Sequence, residues 1–223
     1  MRLHRNSILK YGRENKRAYV KAARALASHL KVPGPLREER IRERIAFAIL
    51  SANAPFHSTV GALSYAHEVG LGAVEEPALA KFQMVPFKAR ALRELASRPI
   101  RDLMRGRGER WDAYRERLMR TTPGLGRAKA AFAVSLLYPT TADVACLDTW
   151  MCKVYLGTDA FKSLGREQYE QVESEVRKVR NALTLPSTFL AQWMIWDHAR
   201  GGKVNTHAVF PGMHKSEAEP PPF

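Results

Sequence analysis

The chain has 223 residues, enough to bury a substantial core in one large or two small domains. Lys and Arg total 36 against 22 Asp and Glu, a net charge of +14, with a sequence pI near 10.1. That excess points to a polyanionic partner, nucleic acid being the commonest, and no basic amphipathic terminus with a bulky apolar face points to a membrane surface. The two cysteines, Cys146 and Cys152, exclude a disulfide framework and a zinc site of ordinary spacing and fit a reducing compartment. No apolar run approaches 18 residues and no signal peptide is evident, so an intracellular protein is expected, in cytoplasm, nucleoid or a phage-infected cell.

Apolar residues recur at helical spacing almost throughout. Tyr19, Val20, Ala23, Leu26 and Leu30 predict a helix over 15–31, broken by Val32-Pro33-Gly34-Pro35. Ile41, Ile45, Phe47, Ala48 and Leu50 predict a second over 36–51. Further helices are predicted at 57–69, 75–82, 87–97, 109–120, 127–138, 148–156, 165–183 and 187–199. Only Val32 and the stretch 140–146 read as extended, so the fold class is all-α. The end of the chain, 211–223, is polar and then Pro-rich and reads as a flexible tail.

Two segments carry the chemistry. Thr122-Pro123-Gly124-Leu125-Gly126-Arg127-Ala128-Lys129-Ala130 places a tight turn between two helical stretches. Pro123 presets φ, Gly124 and Gly126 open conformations closed to other residues, and Arg127 starts a helix whose N-terminal N–H groups form an anion site. Arg115, Arg117, Arg120, Arg127 and Lys129 add positive charge suited to a DNA backbone. One helix later, Asp148 in Cys146-Leu147-Asp148-Thr149-Trp150 opens another helix, as an N-cap or as a reactive carboxylate.

These segments resemble the helix-hairpin-helix DNA glycosylase superfamily (HhH-GPD), whose pattern is Leu-Pro-Gly-Val-Gly-x-Lys followed by Val-Asp-Thr-His. Leu50-Ser51-Ala52-Asn53-Ala54-Pro55-Phe56 is similar to the family's Leu-Ser-x-Gln-Thr segment, and Phe87-Lys88-Ala89-Arg90-Ala91 to its Lys-Ala segment. The matches run in the family's order from about residue 40 to 157.

The resemblance implies a two-lobed helical fold. Residues 1–35 and 139–210 would form the terminal lobe, and 36–138 an inserted lobe ending in the hairpin. It implies double-stranded DNA as partner, a monomer, and a flipped modified base whose N-glycosidic bond is cleaved, with Asp148 as the catalytic carboxylate facing C1′. The family's nucleophilic Lys stands two residues after the second hairpin glycine, where this chain has Ala128; Lys129 lies one residue on, about 100° around the helix. A monofunctional enzyme using water is therefore expected, with Lys129 contacting phosphate or, after a register change, acting in lyase chemistry.

Asn53 stands where the family's Gln fills the gap left by the flipped base, and Phe56 either stacks on a base or enters the core. Trp150 replaces the His after Asp-Thr, and Trp193, Trp196 and Asp197 are candidates to border the base pocket. No iron–sulfur cluster can be held, since it needs four cysteines. No metal site is expected from His198, His207 and His214, though a monovalent cation at the hairpin is compatible with the family pattern. Two other functions fit the same residues: a phage-type transferase attaching an amino acid to an activated 5-hydroxymethyluracil in DNA, and a non-catalytic DNA-binding module.

Overall fold

Helical periodicity carries through to the structure with few exceptions. A computed structural model of the protein describes residues 2–82, 87–157 and 164–202, with side chains from residue 5 onward. The helices in chain order are α1 (Arg2–Ser28), α2 (Gly34–Leu50), α3 (Phe56–Val69), α4 (Glu76–Leu79), α5 (Phe87–Ser97), α6 (Ile100–Leu103), α7 (Trp111–Thr121), α8 (Arg127–Leu137), α9 (Thr149–Leu156), α10 (Arg166–Ala182) and α11 (Thr188–Ala199). Among the described residues there is no strand, and one 3-10 turn covers Leu71–Ala73. The two extended candidates, Val32 and 140–146, are accordingly corrected to irregular backbone. Helix α1 begins 13 residues before the predicted start at residue 15, because Ile8 and Tyr11 continue its buried face between basic residues. The predicted helix 75–82 shrinks to the single turn of α4, and the short α6 has no counterpart in the sequence reading.

The described chain divides into two compact units, one of 2–28 with 138–157 and 164–202, the other of 29–82 with 87–137. Residues 29–35, which the resemblance assigns to the terminal lobe, group with the second unit, where Arg40 of α2 donates to the His29 carbonyl (2.5 Å). The tail 211–223 lies outside the described residues, as do His207 and His214.

The first unit is built around α11, which packs on α1, α9 and α10. Leu190, Ala191, Met194 and Ile195 are fully buried, and Phe189 and Trp193 nearly so, so α11 is apolar on all sides and acts as a central post. Its start is fixed by Ser187, whose hydroxyl accepts from the Leu190 N–H (3.3 Å) and donates to the Pro139 carbonyl (2.7 Å). From α1, Tyr19 donates to buried Asp197 (2.5 Å) and meets Trp193 edge-on at 5.5 Å.

The second unit is built around α2, packed against α3, α5, α6 and α8. From Ile45 to Leu50 every residue of α2 is buried. Arg44 is buried as well and donates to the Leu136 carbonyl near the C-terminal end of α8 (2.6 Å). Burial draws its pKa down to about 10, so the side chain remains a cation at neutral pH, set against the negative end of a helix. Among the described residues no helix is long and apolar enough to cross a membrane.

Candidate active site

The residues expected to act fall into two groups, one on each unit. On the second unit, α7 and α8 form the hairpin, which is closed by the Thr122 N–H to Leu118 (2.9 Å) and the Leu125 N–H to Thr122 (3.3 Å). Leu125 plugs it into the core, while Pro123 is exposed. Gly124 has φ 82°, and a Cβ there would stand 3.1 Å from both Ala91 and Ile49, so only glycine fits. Gly126 corrects the sequence reading: its φ is ordinary and a Cβ would meet nothing within 4 Å. Its contribution is open space in front of the first turn of α8, whose N–H groups have no partner within the helix.

The basic residues around this turn are less available than their number suggests. Arg117 is held by Glu109 in two contacts of 2.8 Å and donates to the Asp102 and Met104 carbonyls. The Glu109 carboxyl is held below its usual range, chiefly by that bond from Arg117. Arg115 is buried, and Arg127 pairs with Glu116 (3.0 Å). Arg115 and Arg117 are therefore structural, and Arg120 is the exposed arginine of the hairpin group.

Behind the hairpin, two lysines converge on the turn after α2. Lys88, wholly buried, donates to the Leu50 carbonyl (2.9 Å) and the Ala52 carbonyl (2.6 Å). Lys129 donates to the Ser51 hydroxyl (3.0 Å), and its ammonium lies 5.5 Å from the Phe132 ring centre. Burial, with Lys129 as a neighbouring charge, pushes the Lys88 pKa down to about 8. The turn leads to Asn53, exposed and in the left-handed region with φ 51°, a conformation that Asn tolerates. Phe56 is half-buried and packs edge-on against Phe47 at 6.1 Å, which places it at the rim of the core.

On the first unit, residues 142–148 approach α9 without regular structure, and side chains hold their backbone instead. Glu173 accepts from the Ala145 N–H (2.9 Å), Gln192 accepts from the Cys146 N–H (2.8 Å), and Tyr169 donates to the Ala145 carbonyl (2.5 Å). Asp143 accepts from Arg180 (2.6 Å), from Arg177 (3.2 Å) and from Thr188 (2.5 Å). Asp143 thus belongs to the scaffold.

The loop delivers Asp148 to the head of α9, half-buried, with both carboxylate oxygens engaged. Oδ1 accepts from the Met151 N–H (3.0 Å) as an N-cap, and Oδ2 accepts from the Trp196 indole N–H (2.7 Å). The cap and the outward-facing carboxylate are thus compatible, since one oxygen caps and the other faces α11. Burial and the Asp148 charge raise the pKa of Cys152, which keeps that thiol neutral.

Trp150 is 38% exposed, while Trp193 and Asp197 are 3% and 1% exposed. The last two are corrected from pocket candidates to core residues: Trp193 stacks on Phe189 at 5.2 Å, and Asp197 serves Tyr19. Trp193 and Trp196 share a helix without sharing a role. Sequence reasoning missed Arg44, Glu173, Gln192 and Tyr169, and it named Lys88 only within the Lys-Ala match, without its partners. For Lys88 and Glu173 a signal existed, a lone charge inside an apolar stripe (Ala89, Ala91, Leu92; Val172, Val176). Among the described residues no cluster of His, Cys, Asp or Glu could hold a metal ion.

No protein-family model matches the sequence, and no curated protein matches it. Solved structures do. The 8-oxoguanine glycosylase/lyase of Methanocaldococcus jannaschii, in complex with a 15mer DNA containing 8-oxoguanine, superposes with a TM-score of 0.68 at 20% identity, over 89% of this chain and 99% of that one. A second structure of 8-oxoguanine DNA glycosylase from Methanocaldococcus jannaschii gives 0.66 at 20% identity, over 90% and 94%. The 8-oxoguanine DNA glycosylase of Thermotoga maritima gives 0.67 at 16% identity, over 88% and 96%. The resemblance first carried by the hairpin and Asp148 is thereby borne out at the level of architecture: this chain has the all-helical fold of 8-oxoguanine DNA glycosylases.

Proposed function

We propose that the protein is a DNA glycosylase that flips a modified base and cleaves its N-glycosidic bond, with Asp148 as the catalytic carboxylate. The observation that carries this reading is the dual engagement of Asp148. An N-cap needs one oxygen; the second is aimed by an indole N–H, and the group stays only half-buried. A carboxylate fixed from two sides suits an oxocarbenium-like C1′, because it is oriented before charge develops.

Water adds to C1′ and gives up one proton, while the base departs with the electron pair of the glycosidic bond and takes up a proton, so that one water is consumed in all. The products are a free base and an abasic sugar. Gly126 and the first turn of α8 suit a backbone phosphate, with Arg120 adding charge and sequence left unread. The fold neighbours are named for 8-oxoguanine, so a duplex containing 8-oxoguanine is the first substrate to test, within a panel of other modified bases.

Alkali treatment after incubation converts abasic sites to strand breaks, and Asp148→Asn is expected to abolish them while duplex binding persists. Base release by Asp148→Asn at the wild-type rate would overturn the assignment. A second reading, lyase chemistry through Lys129, is favoured by its half-buried place beside a second lysine and by the glycosylase/lyase named among the neighbours. Borohydride trapping of a covalent adduct that Lys129→Gln lacks would establish it. Mass analysis of nucleosides separates both from a transferase, which adds mass to the base without releasing it, and from a binding module, which does neither.

A further inference from the structure

The C-terminal end of α11 carries a cation that the chemistry above does not use. Arg200, half-buried, lays its guanidinium over two indoles, 4.3 Å from the Trp196 ring centre and 5.9 Å from that of Trp150. Trp196 is the ring whose N–H holds Asp148, so one indole separates the guanidinium from the carboxylate. Lys153 adds a second cation, 4.9 Å from the Trp150 ring centre.

Four of the arginines described above are consumed by carboxylates: Arg117 by Glu109, Arg127 by Glu116, Arg177 and Arg180 by Asp143. Arg200 is different. Among the described residues no acceptor takes a hydrogen bond from its side chain and no acid pairs with it. The rings fix the guanidinium by its faces, which spends none of its five N–H donors. A planar, half-desolvated fork, held by its faces and without an acceptor among the described residues, is matched by a tetrahedral oxyanion bound in two contacts. A protein of net charge +14 meets that anion most often as a phosphodiester.

The position also answers an electrostatic problem. A strand that brings a sugar to Asp148 brings its negative phosphates with it. Two unit charges of like sign several ångströms apart repel at the effective dielectric of a protein surface. A cation fixed beside the carboxylate offsets that repulsion.

We propose that Arg200, seated on Trp196 and Trp150 with Lys153 alongside, is a phosphate-binding site for the DNA strand, engaging the backbone phosphate that flanks the nucleotide presented to Asp148. The proposal rests on the reading of Asp148 as the carboxylate of a DNA-acting site. Trp150 then serves as a shelf for cations rather than as a wedge.

The test uses the whole protein and a duplex with a single tetrahydrofuran abasic analogue, which binds without being turned over. Affinity is measured by fluorescence anisotropy between 50 and 200 mM salt. Arg200→Met is expected to weaken binding about tenfold and to lower the slope of log K against log salt by about one, while Arg200→Lys keeps the slope.

Replacing one flanking phosphate by an uncharged methylphosphonate, on the 5′ or the 3′ side, is expected to cost the unaltered protein the same factor. On that duplex Arg200→Met then has no further effect. An unchanged slope, or an equal loss from Arg200→Met on every neutral-linkage duplex, overturns the site. The comparison of duplexes with the unaltered protein stands even if a variant folds poorly. Failure of base release on every substrate, with the slope result intact, would instead remove the glycosylase reading and leave Arg200 as a nucleic-acid contact.

Discussion

The turn after α2 and the loop before α9 hold irregular backbone in place with side chains of opposite kind. In the second unit, cations do the work: Lys88 donates to the carbonyls of Leu50, the last residue of α2, and of Ala52 just beyond it, and Arg44 donates to a carbonyl near the end of α8. In the first unit, acceptors predominate: Glu173, Gln192 and Asp148 take the N–H groups of residues 145, 146 and 151. The difference follows from which backbone groups are left over. A helix that ends leaves carbonyls unpaired, whereas an extended segment entering a helix leaves N–H groups. The consequence is chemical as well as structural. The acceptors' unit presents a carboxylate, and the donors' unit presents cations beside a hairpin.

Substitutions can break this comparison at either end, and the largest effect is expected at Asp148. Asp148→Asn keeps an N-capping oxygen and is expected to leave thermal stability within about 1 kcal/mol while lowering base release on the order of a thousandfold. Scaffold residues come next. Glu173→Ala takes one of its acceptors from Arg177 and leaves the buried Ala145 N–H unpaired, and a loss of about 2 kcal/mol in denaturant unfolding is expected. Arg44→Met is expected to cost about 2 kcal/mol, because the Leu136 carbonyl loses its charged donor. If the first change is neutral and the second is not, the loop before α9 is held by packing rather than by its acceptors.

A smaller effect sharpens the role of the indole. Trp196→Phe removes the N–H to Asp148 while keeping an aromatic ring, smaller than the indole, under Arg200, and is expected to lower kcat about tenfold, with KM for the duplex changed less. Lys88 supplies the pH dependence that only the cationic side should show. Its folded pKa, about 8, lies below the ordinary value of 10.5, so between these values the folded protein holds fewer protons on it than the unfolded chain. Stability of the wild type relative to Lys88→Met is therefore expected to rise from pH 8 to 10.5, read by urea midpoints at half-unit intervals. The smallest effects belong to the exposed pairs Arg90–Glu94 and Arg166–Glu170, each expected to contribute under about 0.5 kcal/mol by double-mutant cycle.

The legible part of the site was the part written in consecutive residues. Pro123-Gly124-Leu125-Gly126 announced the hairpin and Asp148 the head of α9, because turns and caps are local events. Trp196 stood out as an aromatic near the end of a helix, but its partner could not be found. Asp148 lies 48 residues earlier in the chain, and nothing in either neighbourhood encodes the 2.7 Å between them. Gly126 was misread for a related reason: composition shows that a glycine is present, not whether φ or open space requires it. Lys88 and Glu173 were visible as charges in apolar stripes, yet a stripe does not say which carbonyl or N–H the charge will meet.

Sequence alone determined that this protein is helical, basic and built around a Gly-Leu-Gly hairpin with an acid one helix downstream, since periodicity, charge and turn chemistry are properties of neighbouring residues. Tertiary structure decided which of the many charged groups are spent and which remain. Arg115 and Arg117 are consumed in the scaffold, Trp193 and Asp197 are buried, and Arg200 is left on its indoles beside a carboxylate held from two sides. That division depends on desolvation and on contacts between residues far apart in the chain, which exist only once the helices have packed.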